Sequence, residues 1–169
     1  VIEASYRQEF ILCEGATAKL DDVEVKLVSL SETPQFEIRW EDGTETSLSV
    51  EVGSSENFGT WGKENYLTLN IEVGGIVKDG LRVKIGHAKR DDGKPFYLHD
   101  GEKFDLGDDV TVSYEGNVEG GQKITLKIIS GTETSTITIT AGEEKRVSNY
   151  KIKYEQQPDL FPVITVTKG

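Results

Sequence analysis

The sequence contains no methionine, one cysteine and four prolines in 169 residues. The single thiol, Cys13, excludes an intramolecular disulfide framework. No apolar run approaches the ~18 residues that a membrane-spanning helix needs, so we expect no such helix and no uncleaved signal peptide. Basic residues are also scarce, with 19 Lys and Arg against 30 Asp and Glu and a net charge of -11. So acidic a chain repels nucleic acid and anionic membranes, and we expect neither as a partner.

The lack of methionine also bears on the origin of the chain. The sequence begins at Val1 without an initiator methionine, as expected for a processed mature chain or an excised fragment. Without methionine the chain has one fewer kind of oxidation-prone side chain, which suits exposure outside the cell. The alternative is that methionine is absent by chance, and neither interpretation determines the location.

Apolar and polar residues alternate along most of the chain. Phe36, Ile38 and Trp40 form one such run, which ends at the turn signal Asp42-Gly43. Helical spacing of apolar residues is not found beyond about one turn. The alternation predicts an all-β protein built from antiparallel sheets, each with one buried and one solvated face.

The second half of the sequence repeats the first. The pentapeptide Gly-Thr-Glu-Thr-Ser occurs at Gly43–Ser47 and again at Gly131–Ser135, between matching patterns that predict six strands per half. We predict two tandem, duplicated antiparallel β-sandwich (Ig-like) domains, at residues 1–88 and 89–169. Their boundary is placed in His87–Pro95, of which Lys89–Pro95 is charged, turn-prone and predicted to contain no core residue.

A short motif in each half resembles a known family. The pattern Phe-Xaa-Leu-Xaa-(Glu/Asp)-Gly, an Asp-Asp segment and a Val-Xaa-Val strand run through Phe10–Asp22 with Val23–Val25, and through Phe96–Asp109 with Val110–Val112. This pattern resembles duplicated β-sandwich modules of archaeal surface-layer and related cell-surface proteins. The resemblance implies an extracellular, non-enzymatic, self-assembling or spacer role. The sequence departs from such proteins in having no Asn-Xaa-Ser/Thr glycosylation sequon.

Catalytic motifs are not found. His87 and His99 are the two histidines, and both are predicted to be exposed polar residues rather than the base of a hydrolase triad. The sequence has no Gly-Xaa-Ser-Xaa-Gly elbow, phosphate-binding loop or dinucleotide fingerprint. We therefore predict a protein that is not an enzyme and needs no organic cofactor.

Clustered acidic residues provide a candidate calcium site. Calcium takes six to eight oxygen ligands, which loops of β-sandwiches can supply as Asp side chains and carbonyls. The candidates are Asp21 and Asp22 in the first half and Asp105, Asp108 and Asp109 in the second. The alternative interpretation is that these residues form solvated acidic turns.

An aromatic segment distinguishes the first half from the second. Gly53–Tyr66 is predicted to be the longest strand-free stretch of its half, and it contains Phe58, Trp61 and Tyr66. Such a loop on a rigid sandwich could stack on a sugar ring or insert into a protein partner. Alternatively, Phe58 and Trp61 close the open end of the sandwich.

The amino-terminal segment Val1–Glu9 is predicted to be a strand added to the duplicated plan. Ile2, Ala4 and Tyr6 alternate with polar residues, whereas the corresponding linker residues show no such alternation. The strand could pair at an edge of its own domain. It could instead add to a sheet edge of a neighbouring copy and join copies into an open assembly.

The sequence therefore favours a structural subunit that assembles with copies of itself into a surface layer or filament. Duplication, an all-β fold and the lack of catalytic motifs all agree with this hypothesis. The alternative is an accessory module that binds carbohydrate or protein through Phe58–Tyr66. Neither hypothesis involves nucleic acid or insertion into a membrane.

Overall fold

The fold is all-β, as the alternation predicts. The computed structural model describes residues 2–4, 8–90, 92–107, 110–156 and 162–169. Strands make up most of this part of the chain, and its one helical element is the short 3-10 turn Glu119–Gly121. β-Branched residues fill the strands and glycines occupy many of the turns, a composition typical of antiparallel sheets.

The described residues form eighteen strands, nine before Ala88 and nine from Ala88 onward. The first nine are β1 (Ile2–Glu3), β2 (Phe10–Cys13), β3 (Thr17–Leu20), β4 (Val23–Ser29), β5 (Gln35–Arg39), β6 (Glu45–Ser49), β7 (Ser55–Trp61), β8 (Tyr66–Val77) and β9 (Gly80–Gly86). The other nine are β10 (Ala88–Lys89), β11 (Asp92–Tyr97), β12 (Lys103–Asp105), β13 (Val110–Val118), β14 (Lys123–Ser130), β15 (Glu133–Thr140), β16 (Glu144–Val147), β17 (Tyr150–Glu155) and β18 (Val163–Lys168).

The chain divides into two compact units. Unit 1 consists of Val1–Lys63 and Leu69–His87, and unit 2 of Glu64–Thr68 and Ala88–Gly169. A five-residue segment of the first half therefore belongs to unit 2. Independent folding of residues 1–88 and 89–169 stays a prediction.

The two units have the same strand order. In unit 1 the sheets run β1-β3-β4-β5-β6 and β2-β9-β8-β7, and in unit 2 they run β10-β12-β13-β14-β15 and β11-β18-β17-β16. Each position in one unit thus has a counterpart nine strands along the chain in the other. Each unit contains two meanders, whereas immunoglobulin domains arrange their strands as ABED and CFG. The repeated unit has nine strands rather than the predicted six.

Both sheets of unit 2 contribute to one hydrophobic core. Alternate residues of β17 are buried, namely Tyr150, Ile152 and Tyr154, and the residues between them are exposed. They pack in one cluster with buried residues of β13 and β14 from the other sheet. In unit 1 the same alternation buries Phe36 and Ile38 of β5. Because successive side chains point to opposite faces of a strand, this period of two buries one face of each sheet.

The described part of the amino-terminal segment is not an addition to the repeated plan. β1 pairs in parallel with β3, with Ile2 opposite Ala18. β10 pairs in parallel with β12 in the same way, with Ala88 opposite Phe104. The hydrogen bond that follows is also repeated, from Ala4 N–H to the Lys19 carbonyl (2.7 Å) and from Arg90 N–H to the Asp105 carbonyl (3.0 Å). The prediction of an extra strand is therefore wrong.

The first two residues of the predicted boundary segment, which precede its charged part, contribute to the buried interior. Ala88 is 1% exposed and His87 is 6% exposed. A strand of two residues is too short to show a period of two, and the charged residues after it resemble a linker in composition.

Tyr6 of the amino-terminal segment lies outside the described residues. The alternation predicted for that segment is therefore compared only at Ile2 and Ala4, which are both half-buried.

The aromatic segment is largely a strand rather than a loop. β7 covers seven of its residues, Ser55–Trp61, and lies at the end of its sheet beside β8. The alternation is weak because β7 contains Gly59, and because an edge strand buries little on either face. Phe58 and Thr60 are half-buried, whereas the residues between and around them are exposed.

The duplicated pentapeptide begins equivalent strands after different turns. β6 begins at Glu45 and β15 at Glu133, the third residue of the pentapeptide in each case. In unit 1 five residues separate β5 from β6, whereas in unit 2 only Gly131 and Thr132 separate β14 from β15. Gly131 has a φ of +62°, which suits the first central position of a two-residue hairpin turn.

The buried position of Ala88 gives a direct test of the corrected plan. We expect Ala88→Gln to lower the free energy of unfolding of unit 2 by about 2–4 kcal/mol, because it overfills the core and buries an amide. The neighbouring Lys89→Gln is a matched control that we expect to stay within about 0.5 kcal/mol of wild type, since Lys89 is exposed. Denaturant unfolding followed by circular dichroism measures the free energy of unfolding of both variants. Equal losses in the two variants would support the linker interpretation.

Candidate functional site

The aromatic residues predicted to form one site belong to different units. Phe58 and Trp61 lie on β7 in unit 1, and Trp61 is 51% exposed. Tyr66 begins β8 and belongs to unit 2. The predicted site is therefore not contained within one unit, and Trp61 is its most exposed aromatic side chain.

Tyr66 is held in unit 2 by a stack and by main-chain hydrogen bonding. Its ring lies parallel to the imidazole of His99, with ring centroids 4.0 Å apart and an angle of 19° between the planes. The Tyr66 N–H donates to the carbonyl of Asp100 (2.9 Å), and the Thr68 hydroxyl donates to the carbonyl of Lys103. These contacts show why Glu64–Thr68 belongs to unit 2 although the chain around it belongs to unit 1.

The buried carboxylate of Glu102 contacts His99, the imidazole of this stack. The Oε1 atom of Glu102 is 2.8 Å from His99 Nδ1, within hydrogen-bond distance. The same oxygen accepts the backbone N–H of His99 (3.2 Å), and Glu102 is fully buried. Its second oxygen, Oε2, has no hydrogen-bond partner among the described residues.

The charges around Tyr66 affect its acidity. Burial raises the pKa of Tyr66, and the negative charge of nearby Glu102 adds to the rise, whereas Arg90 opposes it. The phenol is therefore neutral throughout the physiological range. The guanidinium of Arg90 lies over the ring of Phe96, 4.6 Å from its centroid.

Both histidines are less exposed than the sequence suggested. The His99 side chain is 23% exposed, and His87 Nε2 lies 3.5 Å from Asp21 Oδ2 with its side chain 8% exposed. The prediction of two exposed polar residues is wrong. Each histidine pairs with a carboxylate near a turn, an interaction that the spacing His99-Xaa-Xaa-Glu102 could have indicated.

The candidate calcium ligands have different environments. Asp21 lies in the β3–β4 turn with a φ of +52° and pairs with His87, and Asp22 beside it is exposed. Asp105 is buried, and its Oδ1 accepts the Thr111 hydroxyl at 2.8 Å. In the described part of the chain no group of three or more His, Cys, Asp or Glu side chains is arranged to hold a metal.

Two candidate calcium ligands, Asp108 and Asp109, lie outside the described residues. A calcium site at Asp105, Asp108 and Asp109 therefore stays a prediction. A bond from Asp105 Oδ1 to calcium would share this oxygen with the Thr111 hydroxyl.

Asp42 organises the turn between β5 and β6. Its Oδ1 accepts both the backbone N–H (3.0 Å) and the hydroxyl (2.6 Å) of Thr44, and its Oδ2 accepts the N–H of Lys63 at 2.7 Å. The hydroxyl bond, followed by the two N–H bonds, lowers the pKa of Asp42 from 3.8 to about 2. The carboxylate thus links this turn to the end of the β7 region within unit 1.

The sheet ends form a separate set of candidate surfaces. In unit 1 the terminal strands are β1, β6, β2 and β7, and in unit 2 they are β10, β15, β11 and β16. A terminal strand has backbone N–H and C=O groups that face away from its sheet and can pair with another chain. β15 is the longest of the eight, with eight residues.

The link through Asp42 predicts a pH dependence for unit 1. Because the folded pKa is lowered, the stabilisation is fully present above about pH 4 and is lost as the pH falls through about 2. Asn cannot accept the Lys63 N–H through its amide nitrogen, so Asp42→Asn is expected to be less stable than wild type at pH 6. This difference should shrink by pH 2.

Tryptophan emission is the measurement for this prediction, since Trp40 and Trp61 both belong to unit 1. Urea midpoints of wild type and Asp42→Asn are compared at each pH, so that the titration of other carboxylates cancels. Thr44→Val removes the hydroxyl donor alone and should reproduce part of the effect. A difference that does not change with pH would contradict the assignment.

The stack on His99 predicts a role for Tyr66 in the stability of unit 2. We expect Tyr66→Ala to destabilise unit 2 by about 1–3 kcal/mol, because the half-buried ring loses its contact with the imidazole. Tyr66→Phe keeps the ring and should cost less. Tyr97→Ala is the matched control, since Tyr97 belongs to the same unit and is 50% exposed. Equal effects of the two alanine variants in circular dichroism melts would contradict the role.

The comparisons with known proteins do not assign a family. No protein-family model, curated protein or solved structure matches this chain. No helix in the described ranges is long and apolar enough to cross a membrane. A function for this protein must therefore be argued from its own sandwich units, side-chain contacts and sheet ends.

Proposed function

We propose that the protein is a non-enzymatic, extracellular structural subunit that assembles with copies of itself into a surface layer or filament. The observation that carries the proposal is the tandem repetition of one nine-stranded topology in a single chain. Repetition of a complete sandwich multiplies sheet ends and surface, which serves a spacer or a lattice more directly than it serves catalysis.

The polar pairs inside the units support a structural role. His99 with Glu102, His87 with Asp21 and Asp105 with Thr111 each connect a turn or strand end to its own unit. Side chains that would be candidates for acid–base chemistry are thus engaged in local contacts. The resemblance of the Phe10–Asp22 and Phe96–Asp109 motifs to archaeal surface-layer modules supports the same role and an extracellular location.

The position of β1 limits how its segment could link copies. Ile2 and Glu3 pair with β3 of their own chain. Linkage through Val1–Glu9 would therefore be an exchange, in which the β1 of a neighbouring copy occupies the same place beside β3. Such an exchange retains the parallel pairing and changes only which copy supplies it.

A second candidate function rests on Trp61. This indole is 51% exposed on the terminal strand β7, a position from which it could stack on a sugar ring or contact a protein partner. In that case the protein is an accessory binding module. Trp61 and Phe58 are then the binding residues on unit 1, whereas Tyr66 stabilises unit 2.

The proposed function predicts assembly that depends on protein concentration. We expect size-exclusion chromatography with light scattering to show growing oligomers, and negative-stain microscopy to show a regular lattice or filament, at several calcium levels. Protein that stays monomeric under all these conditions would contradict the proposal. A monomer whose tryptophan emission changes on titration with a polysaccharide would support the accessory module.

Deletion of Val1–Glu9 tests exchange of the amino-terminal strand. If copies are linked by exchange, the shortened protein should retain its β-sheet circular dichroism and lose assembly. Assembly that persists unchanged would exclude linkage through this segment, and loss of the fold itself would show that β1 acts within its own unit.

A further inference from the structure

Seven of the eight terminal strands contain features that discourage pairing with another chain. β1 and β10 have two residues each, and β2 has four. β11 has a register irregularity between Asp92 and Pro95, and β16 contains three charged residues in four. β6 has only five residues, and β7 is interrupted by Gly59. Short length, charge, proline and irregular register are the usual means of protecting a sheet edge.

β15 lacks these features. Its sequence Glu-Thr-Ser-Thr-Ile-Thr-Ile-Thr has six β-branched residues in eight and no proline, glycine or basic residue. It pairs without irregularity along its whole length with β14, from Ser130 opposite Glu133 to Lys123 opposite Thr140. Its single charge is at its first residue. In a chain with a net charge of -11, this is an unusually neutral and regular edge.

The register identifies which backbone groups of β15 face outward. A two-residue turn makes Ser130 and Glu133 a hydrogen-bonded pair, and such pairs recur at every second residue. The bond from Ala141 N–H to the Gln122 carbonyl (2.7 Å) continues the same series. The N–H and C=O groups of Thr134, Thr136 and Thr138 therefore point away from β14. The Thr140 carbonyl already accepts the N–H of Glu143 (2.8 Å).

We propose that β15 is an assembly edge that pairs with β15 of a second copy of this chain, antiparallel and with Thr136 on the twofold axis. Thr134 of each copy then lies opposite Thr138 of the other, and Thr136 lies opposite itself. Outward donors meet outward acceptors at each of these pairs, so the strand is complementary to itself. Ile137, which is half-buried at the margin of the unit 2 core, becomes covered by the partner strand.

The charges on the strands favour a second copy of β15 as the partner and an antiparallel orientation. Every other terminal strand is shorter than β15, and β11 and β16 carry charges of both signs, whereas a second β15 brings eight residues with one charge, Glu133. In the antiparallel pair the two Glu133 residues are separated by about 20 Å along the strands, beyond the screening length of about 8 Å at physiological ionic strength. Parallel pairing in register would instead place them side by side.

Lys145 of β16 restrains this edge. Its Nζ donates to the carbonyl of Thr138 at 2.5 Å and lies 3.7 Å from Glu143 Oε1. The carbonyl that Lys145 occupies is one that the partner strand needs. Pairing therefore requires release of this contact in both copies, and Lys145 sets the concentration at which copies associate.

The inference rests on the proposed function and specifies one contact within it. The first test uses the full chain in sedimentation velocity over a range of concentrations. We expect Lys145→Met to tighten self-association by about tenfold, because two hydrogen bonds no longer have to be released. Lys26→Met is the matched control, since it changes the net charge equally at an exposed site of unit 1 and should leave self-association unchanged. Equal effects of the two variants would overturn the proposal.

The second test removes an outward donor from the edge. Thr136→Pro deletes an N–H that points away from β14, so it leaves the internal ladder intact and should abolish pairing through β15. Ser47→Pro makes the same change at an outward position of β6 in unit 1 and should have no effect. If Thr136→Pro perturbs circular dichroism, Thr136→Lys blocks the edge by charge and keeps the strand. Equal effects of the edge variants and Ser47→Pro would overturn the proposal.

Disulfide cross-linking tests the register of the two β15 strands. In a Cys13→Ser background, Thr136→Cys should form a disulfide-linked dimer on oxidation, because directly opposed residues in a hydrogen-bonded pair have Cα atoms about 5.5 Å apart. Ser47→Cys should not. Assembly that survives both Thr136→Pro and Thr136→Lys would overturn pairing through β15 while the proposed function stands. If wild type and Lys145→Met both stay monomeric, pairing through β15 and the proposed function are both overturned.

Discussion

Each unit depends on burying one face of each of its two sheets. The alternation of apolar and polar residues, clearest in β5 and β17, determines which face is buried and therefore the register of every central strand. A shift of one residue would turn Ile152 and its neighbours to solvent. This constraint acts on side chains above and below the sheet, and it does not determine what the outward backbone groups of the terminal strands contact. The properties of the ends are then set by other residues.

The parts of the fold that the sequence predicts are those with a long period of two. Central strands such as β5, β14 and β17 bury every second residue, so the all-β class and the duplication follow from the alternation. β1 and β10 have two residues each and show no period, and β7 is an edge strand with a glycine. The predictions of an amino-terminal addition, a linker and an aromatic loop fail because in each case pairing with a neighbouring strand, rather than burial of a face, determines the structure.

The candidate sites were less predictable for a related reason. A polar side chain is placed by the turn or strand end that carries it, and such positions leave no periodic signal. His99 and Glu102 are brought together by a tight turn, and Tyr66 stacks on His99 from Glu64–Thr68, a segment of the first half that belongs to unit 2. The β7–β8 hairpin is longer than its counterpart β16–β17, in which only Ser148 and Asn149 separate the strands. Duplication therefore preserved the topology while the hairpin lengths changed.

The same divergence explains why unit 2 has the more open edge. β6 and β15 begin with the same residues of the pentapeptide, yet β6 ends at Ser49 and β15 continues to Thr140. The two-residue turn at Gly131 keeps β14 and β15 in register from their first pair, which allows the longer ladder. A longer regular ladder stabilises the sheet and also lengthens the row of outward N–H and C=O groups. The Lys145 contact with Thr138 lies on this row, so the strand that lengthens the ladder also presents the carbonyl that Lys145 of β16 occupies.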